Sequence, residues 1–72
     1  MKLSIDREAD ALHLALDEGL VAESEEVAPG VVVDYGSGGM VIGIEILDLS
    51  RRVSPSHLDK VEVEPRTLLA DS

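Results

Sequence analysis

The feature that most constrains the fold is a glycine-rich segment, 36–39, placed between two runs rich in β-branched residues, 31–35 and 40–46. Glycine supplies the positive φ angles of a tight turn, and β-branched residues favour strands. Closing this hairpin symmetrically places Val33 opposite Ile42. Both strands then agree on which face is apolar, so the pattern predicts an antiparallel hairpin.

A second hairpin is predicted at the start of the chain. Large apolar residues fall at every second position in 2–5 and in 11–16, on either side of the polar connector 6–10. Pairing Ile5 with Leu12 gathers the apolar side chains on one face, which is the pattern of half-buried strands. This register sets two further pairs opposite each other: Leu3 with Leu14, and Ser4 with His13.

The remaining segments predict one more strand and a short helix. The stretch 23–27 is extended in character and precedes a Pro-Gly turn. Near the C-terminus, Ser54 followed by Pro55 has the order of a helix N-cap and first helical position. Asp48 or Ser50 is suited to cap a turn just before it.

These elements together predict an α+β fold that is mostly β. We expect an antiparallel meander of four or five strands with a short C-terminal helix packed on one face. No repeat or linker divides the chain. Residues 1–61 are therefore expected to form a single small domain, and 62–72 a C-terminal tail.

Composition excludes several classes of protein. Fifteen Asp and Glu against six Lys and Arg give a net charge of −9, which disfavours direct nucleic-acid binding. Without cysteine there is no disulfide framework and no thiolate metal site. No apolar run approaches the ~20 residues that cross a bilayer, and residues 1–20 lack a signal-peptide pattern. We expect a cytoplasmic protein, one whose small size favours a homo-oligomer.

Three residues on the less apolar face are candidates for a ligand or interaction site: His13, Asp34 and Glu45. The symmetric register sets Asp34 opposite Val41 and Glu45 opposite Gly30, so the two carboxylates are offset. Paired carboxylates need to converge within a few ångströms for acid–base work or for a hard cation. We therefore expect no catalytic residue, no metal site and no cofactor. The alternative to a functional site is that these charged residues only keep this face of the sheet solvated.

An acidic run, Glu23, Glu25 and Glu26, is the second candidate surface. In a strand, Glu23 and Glu25 project to the same side and present a row of negative charges to which a basic partner can bind. The alternative interpretation is a solvated edge that blocks strand-to-strand aggregation.

Several motifs together carry a family resemblance. The chain contains Ala-Asp-Ala-Leu at 9–12, Val-Asp-Tyr at 33–35, Gly-Ile-Glu-Ile-Leu at 43–47, and then Ser50. In this order, over about residues 1–60, it resembles the bacterial and archaeal family called domain of unknown function 2283.

The resemblance implies a fold more than a function, since no activity, substrate or cofactor is established for that family. Acidic residues recur there at the positions of Asp34 and Glu45. The family often has an aromatic residue after Ala-Leu, where this chain has His13, so a stacking role is not expected here. Some members are encoded beside small toxin-like proteins, which implies an antitoxin-like role.

The leading hypothesis is a non-enzymatic protein-interaction module that self-associates and binds a basic, toxin-like protein. The alternative is a small enzyme or a ligand- or metal-binding protein whose site forms at a subunit interface from His13, Asp34 and Glu45. A purely structural domain is a third interpretation. The missing catalytic constellation favours the first of these.

Overall fold

The computed structural model describes residues 1–67 and contains a five-stranded antiparallel sheet. The mostly-β prediction is confirmed. The strands are β1 (Lys2–Asp6), β2 (Ala11–Ala15), β3 (Glu23–Ala28), β4 (Val31–Tyr35) and β5 (Val41–Ile46). Residues 62–67 of the predicted tail contain no helix or strand, and residues 68–72 lie outside the described part. No helix in the described part is long and apolar enough to cross a membrane.

The strand order is β1-β2-β5-β4-β3, which differs from a simple meander. After β2 the chain passes to the far edge of the sheet and forms β3 there. It then returns through β4 to β5, which pairs with β2. The two edges are consequently β1 and β3.

The predicted register of the first hairpin is confirmed. Ile5 pairs with Leu12 and Ser4 pairs with His13. The connector is held by the Asp6 carboxylate, which accepts a hydrogen bond from the Ala9 backbone N–H at 3.0 Å. This local bond lets a short polar connector fix the pairing of the strands on both sides.

The predicted register of the second hairpin is wrong by two residues. Val33 pairs with Ile44, not Ile42. One residue of the shift comes from a longer loop, since Tyr35 pairs with Val41, and the other from a bulge between Asp34 and Tyr35. Because a shift of two preserves the side-chain alternation, the predicted division into faces survives from Val31 to Asp34, whereas beyond the bulge Tyr35 pairs with Val41, which the prediction placed on the opposite face.

Register places most of the large aliphatic side chains of β1, β2, β5 and β4 on one face, called here the apolar face. The aliphatic residues that β1, β2, β5 and β4 place on this face are Leu3, Ile5, Leu12, Leu14, Val31, Val33, Ile44 and Ile46. The other side, called the polar face, carries His13, Asp34 and Glu45 as predicted.

The segment after β5 covers part of the apolar face, but the predicted C-terminal helix is not confirmed. Among residues 1–67 this region has only two short 3₁₀ turns, Leu49–Arg51 and Pro55–His57. Ser54 precedes the second turn as predicted, yet its side chain makes no capping hydrogen bond. Leu49 is 4% exposed and is the buried apolar residue of the described part. It lines an apolar hollow of about 200 Å³ together with Val53, Leu58 and Val61 above Leu3, Ile5 and Leu12.

A side chain from the first hairpin fixes the start of this covering segment. The Asp10 carboxylate accepts hydrogen bonds from the Ser50 backbone N–H at 2.9 Å and from the Ser50 hydroxyl at 2.7 Å. The Leu49 N–H donates to the Asp10 carbonyl at 2.9 Å. Asp48, which was a predicted cap, makes no capping side-chain bond. The turn is therefore capped from the distant hairpin rather than from its own sequence.

The end of β5 is tied to the β3–β4 turn by Arg52. Its guanidinium donates to the Leu47 carbonyl at 2.9 Å and to the Pro29 carbonyl at 2.6 Å. Gly30 has a φ of 74°, and a Cβ there would lie 2.5 Å from Arg52 Nη2. This turn consequently needs glycine for its backbone angle and for the close approach of the arginine.

Candidate functional site

His13 and Asp34 meet on the polar face although they lie on strands that are not neighbours. Strand β5 separates them, and its residue between them is Gly43, which pairs with Asp34. The His13 Nε2 atom lies 3.7 Å from Asp34 Oδ2. A Cβ on Gly43 would lie 3.1 Å from that carboxylate oxygen and 3.2 Å from the imidazole nitrogen. The absence of a side chain at Gly43 is therefore what lets the pair approach across the strand.

Asp34 is the buried charged residue of the described part, with 5% of its surface exposed. Its Oδ1 atom accepts a hydrogen bond of 2.6 Å from the Ser24 hydroxyl on β3. The β2–β3 connection passes nearby, since Gly19 and Val21 line a small cavity of about 80 Å³ with His13 and Asp34. Asp34 is thus oriented from one side by Ser24 and faces the imidazole on the other.

Glu45 is the third predicted residue of this face, and it pairs directly with His13. Its other neighbour across the sheet is Val32, not Gly30 as the symmetric register predicted. Asp34 likewise pairs with Gly43 rather than Val41, so both opposed pairs in the sequence prediction are wrong. The two-residue shift brings Asp34 and Glu45 closer than predicted, on adjacent rows of the sheet, and Glu45 shares its row with His13.

The contacts of Asp34 orient the imidazole of His13 but do not activate the Ser24 hydroxyl as a nucleophile. In a catalytic triad the hydroxyl donates to the histidine, whereas Ser24 here donates to Asp34. The distance of 3.7 Å between His13 and Asp34 is that of an ion pair when the imidazole is protonated. Within residues 1–67 no group of three or more His, Asp or Glu side chains is placed to hold a metal ion.

Strand β3 divides the acidic run between the two faces. Glu23 pairs with Tyr35 and Glu25 with Val33, which places both carboxylates at the margin of the apolar face. Glu26 pairs with Val32 and lies on the polar face. The predicted common side of Glu23 and Glu25 agrees with this register. All six residues of β3 are exposed, and the strand forms one edge of the sheet.

Tyr35 joins this acidic margin, a contact that the sequence analysis missed. Its hydroxyl donates to Glu25 Oε2 at 3.3 Å. Desolvation, and then the negative charge and hydrogen bond of Glu25, raise the pKa of Tyr35 above its usual value. Glu23, Glu25 and Tyr35 line an open groove of about 510 Å³ that extends to the glycine turn. The groove is therefore lined by two carboxylates and one aromatic ring.

Two other residues of the polar face, Ser24 and Gly43, were also missed as parts of a site. Ser24 follows Glu23 in an alternating segment, so its projection to the polar face could have been read from the sequence. The importance of Gly43 depends on its place between His13 and Asp34, which follows only from the order of the strands.

The chain belongs to the family described as "Protein of unknown function (DUF2283)", whose family model matches residues 2–50. This confirms the resemblance drawn from the motifs. The matched region includes all five strands and ends at Ser50, the partner of Asp10. No curated protein and no solved structure shows significant similarity to the chain.

Proposed function

We propose that this chain is a cytoplasmic, non-enzymatic protein-interaction module that self-associates and binds a basic protein partner along strand β3. An antitoxin-like role, with a small basic toxin as the partner, is the most concrete form of this proposal. The observation that carries it is an edge strand that is exposed along its whole length and bears three carboxylates: Glu23, Glu25 and Glu26.

An edge strand offers unpaired backbone N–H and C=O groups to an extended segment of another chain. Like charges placed directly opposite one another disfavour strand pairing, so the carboxylates oppose pairing of β3 with a second β3. The same carboxylates favour a strand with basic side chains. Because Glu23 and Glu25 lie on one face and Glu26 on the other, a partner strand meets negative charge on both of its sides.

The net charge of −9 acts in the same direction over longer distances. It accelerates the encounter with a basic protein at low ionic strength, and salt screens it. A complex of this kind should therefore weaken as salt rises.

The test is capture of partners from native lysate on the tagged chain at low and moderate salt, with identification by mass spectrometry. The informative variant replaces Glu23, Glu25 and Glu26 by Gln. A matched control replaces three exposed glutamates elsewhere, Glu8, Glu18 and Glu62, by Gln, which changes the net charge equally.

We expect wild type and the matched control to retain one small basic protein that the β3 variant loses. Backbone amides of β3 should also become protected from hydrogen exchange in the complex. Equal loss of the partner in the two variants would mean that net charge alone, and not strand β3, binds it. Failure to capture any basic protein would contradict the proposal.

A second candidate function rests on the approach of His13 to buried Asp34. An imidazole and a buried carboxylate line one small cavity, and Glu45 pairs with His13 on the neighbouring strand. Completed by a subunit interface, this face would bind a small polar ligand or a divalent ion.

A thermal-shift screen with divalent ions and metabolites tests this candidate. This candidate function is supported if a compound raises the melting temperature of the wild-type protein but not that of the Glu45→Ala variant. A Glu18→Ala control should respond like wild type, because Glu18 is exposed in the β2–β3 connection. A response that persists in Glu45→Ala would place the ligand elsewhere.

A further inference from the structure

We propose that the part of the apolar face formed by β5, β4 and β3 is the contact surface for a second copy of this chain. The two copies would pack sheet on sheet in an isologous dimer. This inference deepens the self-association in the proposed function, and it names the surface that carries it.

The exposure pattern of the sheet shows that residues 1–67 do not fully bury this face. In strands β4 and β5, which have neighbours on both sides, Val33 and Ile44 are only half-buried. The buried residues of these strands, Asp34 and Gly43, lie on the polar face instead. Aliphatic side chains that are only half-buried at the centre of a sheet are typical of an interaction surface.

The surface area is sufficient for a dimer. The chain exposes 5953 Å², whereas a compact monomer of this mass exposes about 4,300 Å². The exposed segment 61–67 contributes to this difference. A standard interface needs only about 800 Å² from each partner, which is about one-seventh of the exposed surface of this chain.

The shape of the face is self-complementary. The covering segment lies above β1 and β2, where Leu49 and Leu58 contribute to the apolar hollow. Among residues 1–67, the hollow that the covering segment lines does not extend over the half formed by β5, β4 and β3. A two-fold axis parallel to the strands places the covered half of one copy beside the open half of the other, and this arrangement closes after two chains.

Charge at the two margins fits the same symmetry. His57 and Lys60 line the hollow on the covered side, whereas Glu23 and Glu25 lie at the margin of the open side. The two-fold axis brings the positive charge of Lys60 close to these carboxylates of the other copy at the rim. The aliphatic centre of the face carries no charge, so it suits a second copy despite the net charge of −9.

The experiment measures the oligomeric state of the full chain by sedimentation equilibrium at low and high salt. The informative variant is Val33→Thr, which keeps strand propensity and places a hydroxyl on the apolar face. Val32→Thr is the matched control, because Val32 is the adjacent residue of β4, is also half-buried and lies on the polar face. Far-UV circular dichroism shows that each variant is folded.

We expect a wild-type dimer that tightens as salt screens the repulsion between two acidic chains. Val33→Thr should weaken it by about tenfold or more, because the substitution occurs at both symmetry-related positions. Val32→Thr should leave it within about twofold. Lys60→Glu should weaken the dimer at low salt only.

A wild-type chain that remains monomeric at high salt would overturn the inference, and so would equal effects of Val33→Thr and Val32→Thr. The salt dependence separates this outcome from failure of the proposed function. A basic partner is released by salt, whereas the dimer is strengthened by it. A monomer that still captures a basic partner through Glu26 and its neighbours would refute the dimer alone.

Discussion

The Asp10–Ser50 contact gives the sharpest test of how this small fold is held together. Ser50→Ala removes the 2.7 Å bond from the hydroxyl to the Asp10 carboxylate and leaves the backbone bond in place. Because both partners are exposed, one such bond should contribute about 1 kcal/mol to the free energy of unfolding. Ser54→Ala is the matched control, since the Ser54 hydroxyl makes no capping bond, and it should cost less than about 0.5 kcal/mol.

Asp10→Gly removes both bonds without adding backbone strain, because Asp10 has a φ of 54° that glycine adopts freely. Its expected cost is about 2 kcal/mol, from two hydrogen bonds of about 1 kcal/mol each. Combined with Ser50→Ala it should cost little more than Asp10→Gly alone, since the hydroxyl has already lost its acceptor. The coupling energy from this double-mutant cycle should be about 1 kcal/mol.

Urea unfolding followed by far-UV circular dichroism measures these differences, with protein concentration held constant because association contributes to stability. The reasoning would be refuted by additive costs in the cycle. It would also be refuted if Ser50→Ala were as neutral as Ser54→Ala.

Three further predictions concern the two faces and the core. Tyr35 is the single aromatic residue, so tyrosinate absorbance should show a higher midpoint in the folded than in the urea-unfolded protein, and Glu25→Gln should lower the folded midpoint. Because the folded pKa is the higher one, the contribution of Tyr35 to stability is complete below the unfolded pKa and is lost as pH rises through the folded one. Gly43→Ala should fail to stabilise the strand, because its Cβ would lie 3.1 Å from Asp34 Oδ2 and 3.2 Å from His13 Nε2, and His13→Ala should relieve only the second contact, as urea midpoints of the single and double variants would show. Leu49→Ala should cost about 2–5 kcal/mol in the same assay, and a cost below 1 kcal/mol would mean that this core position is not packed as described.

The faces of the sheet could be predicted from the sequence, and the exact pairing only in part. Alternation fixes which side each residue of a strand occupies, so it predicts that His13 and Glu45 share a face even without the order of the strands. The register of the second hairpin failed because the bulge at Asp34 and Tyr35 has no local sequence signature. The order of the strands was missed because it depends on a long connection between β2 and β3.

The predicted helix failed for a related reason. Ser54 and Pro55 give the start signals of a helix, but the segment that follows is short and polar and has only Leu58 and Val61 to bury. Tertiary contacts therefore decide its form, and they use the segment as a cover with a single 3₁₀ turn. The closeness of His13 to Asp34 was equally unpredictable, since it requires the correct order and register together.

The most specific sequence motifs of the chain have structural explanations, and this bears on where its function lies. Asp10 and Ser50 fasten the covering segment to the first hairpin, and Gly43 leaves space between two side chains. Glu45, in contrast, makes no hydrogen bond or ion pair within residues 1–67, although it lies half-buried beside His13. Its carboxylate is therefore available to a partner or ligand at the polar face, and the residues whose roles the fold does not explain lie on its faces and on the β3 edge.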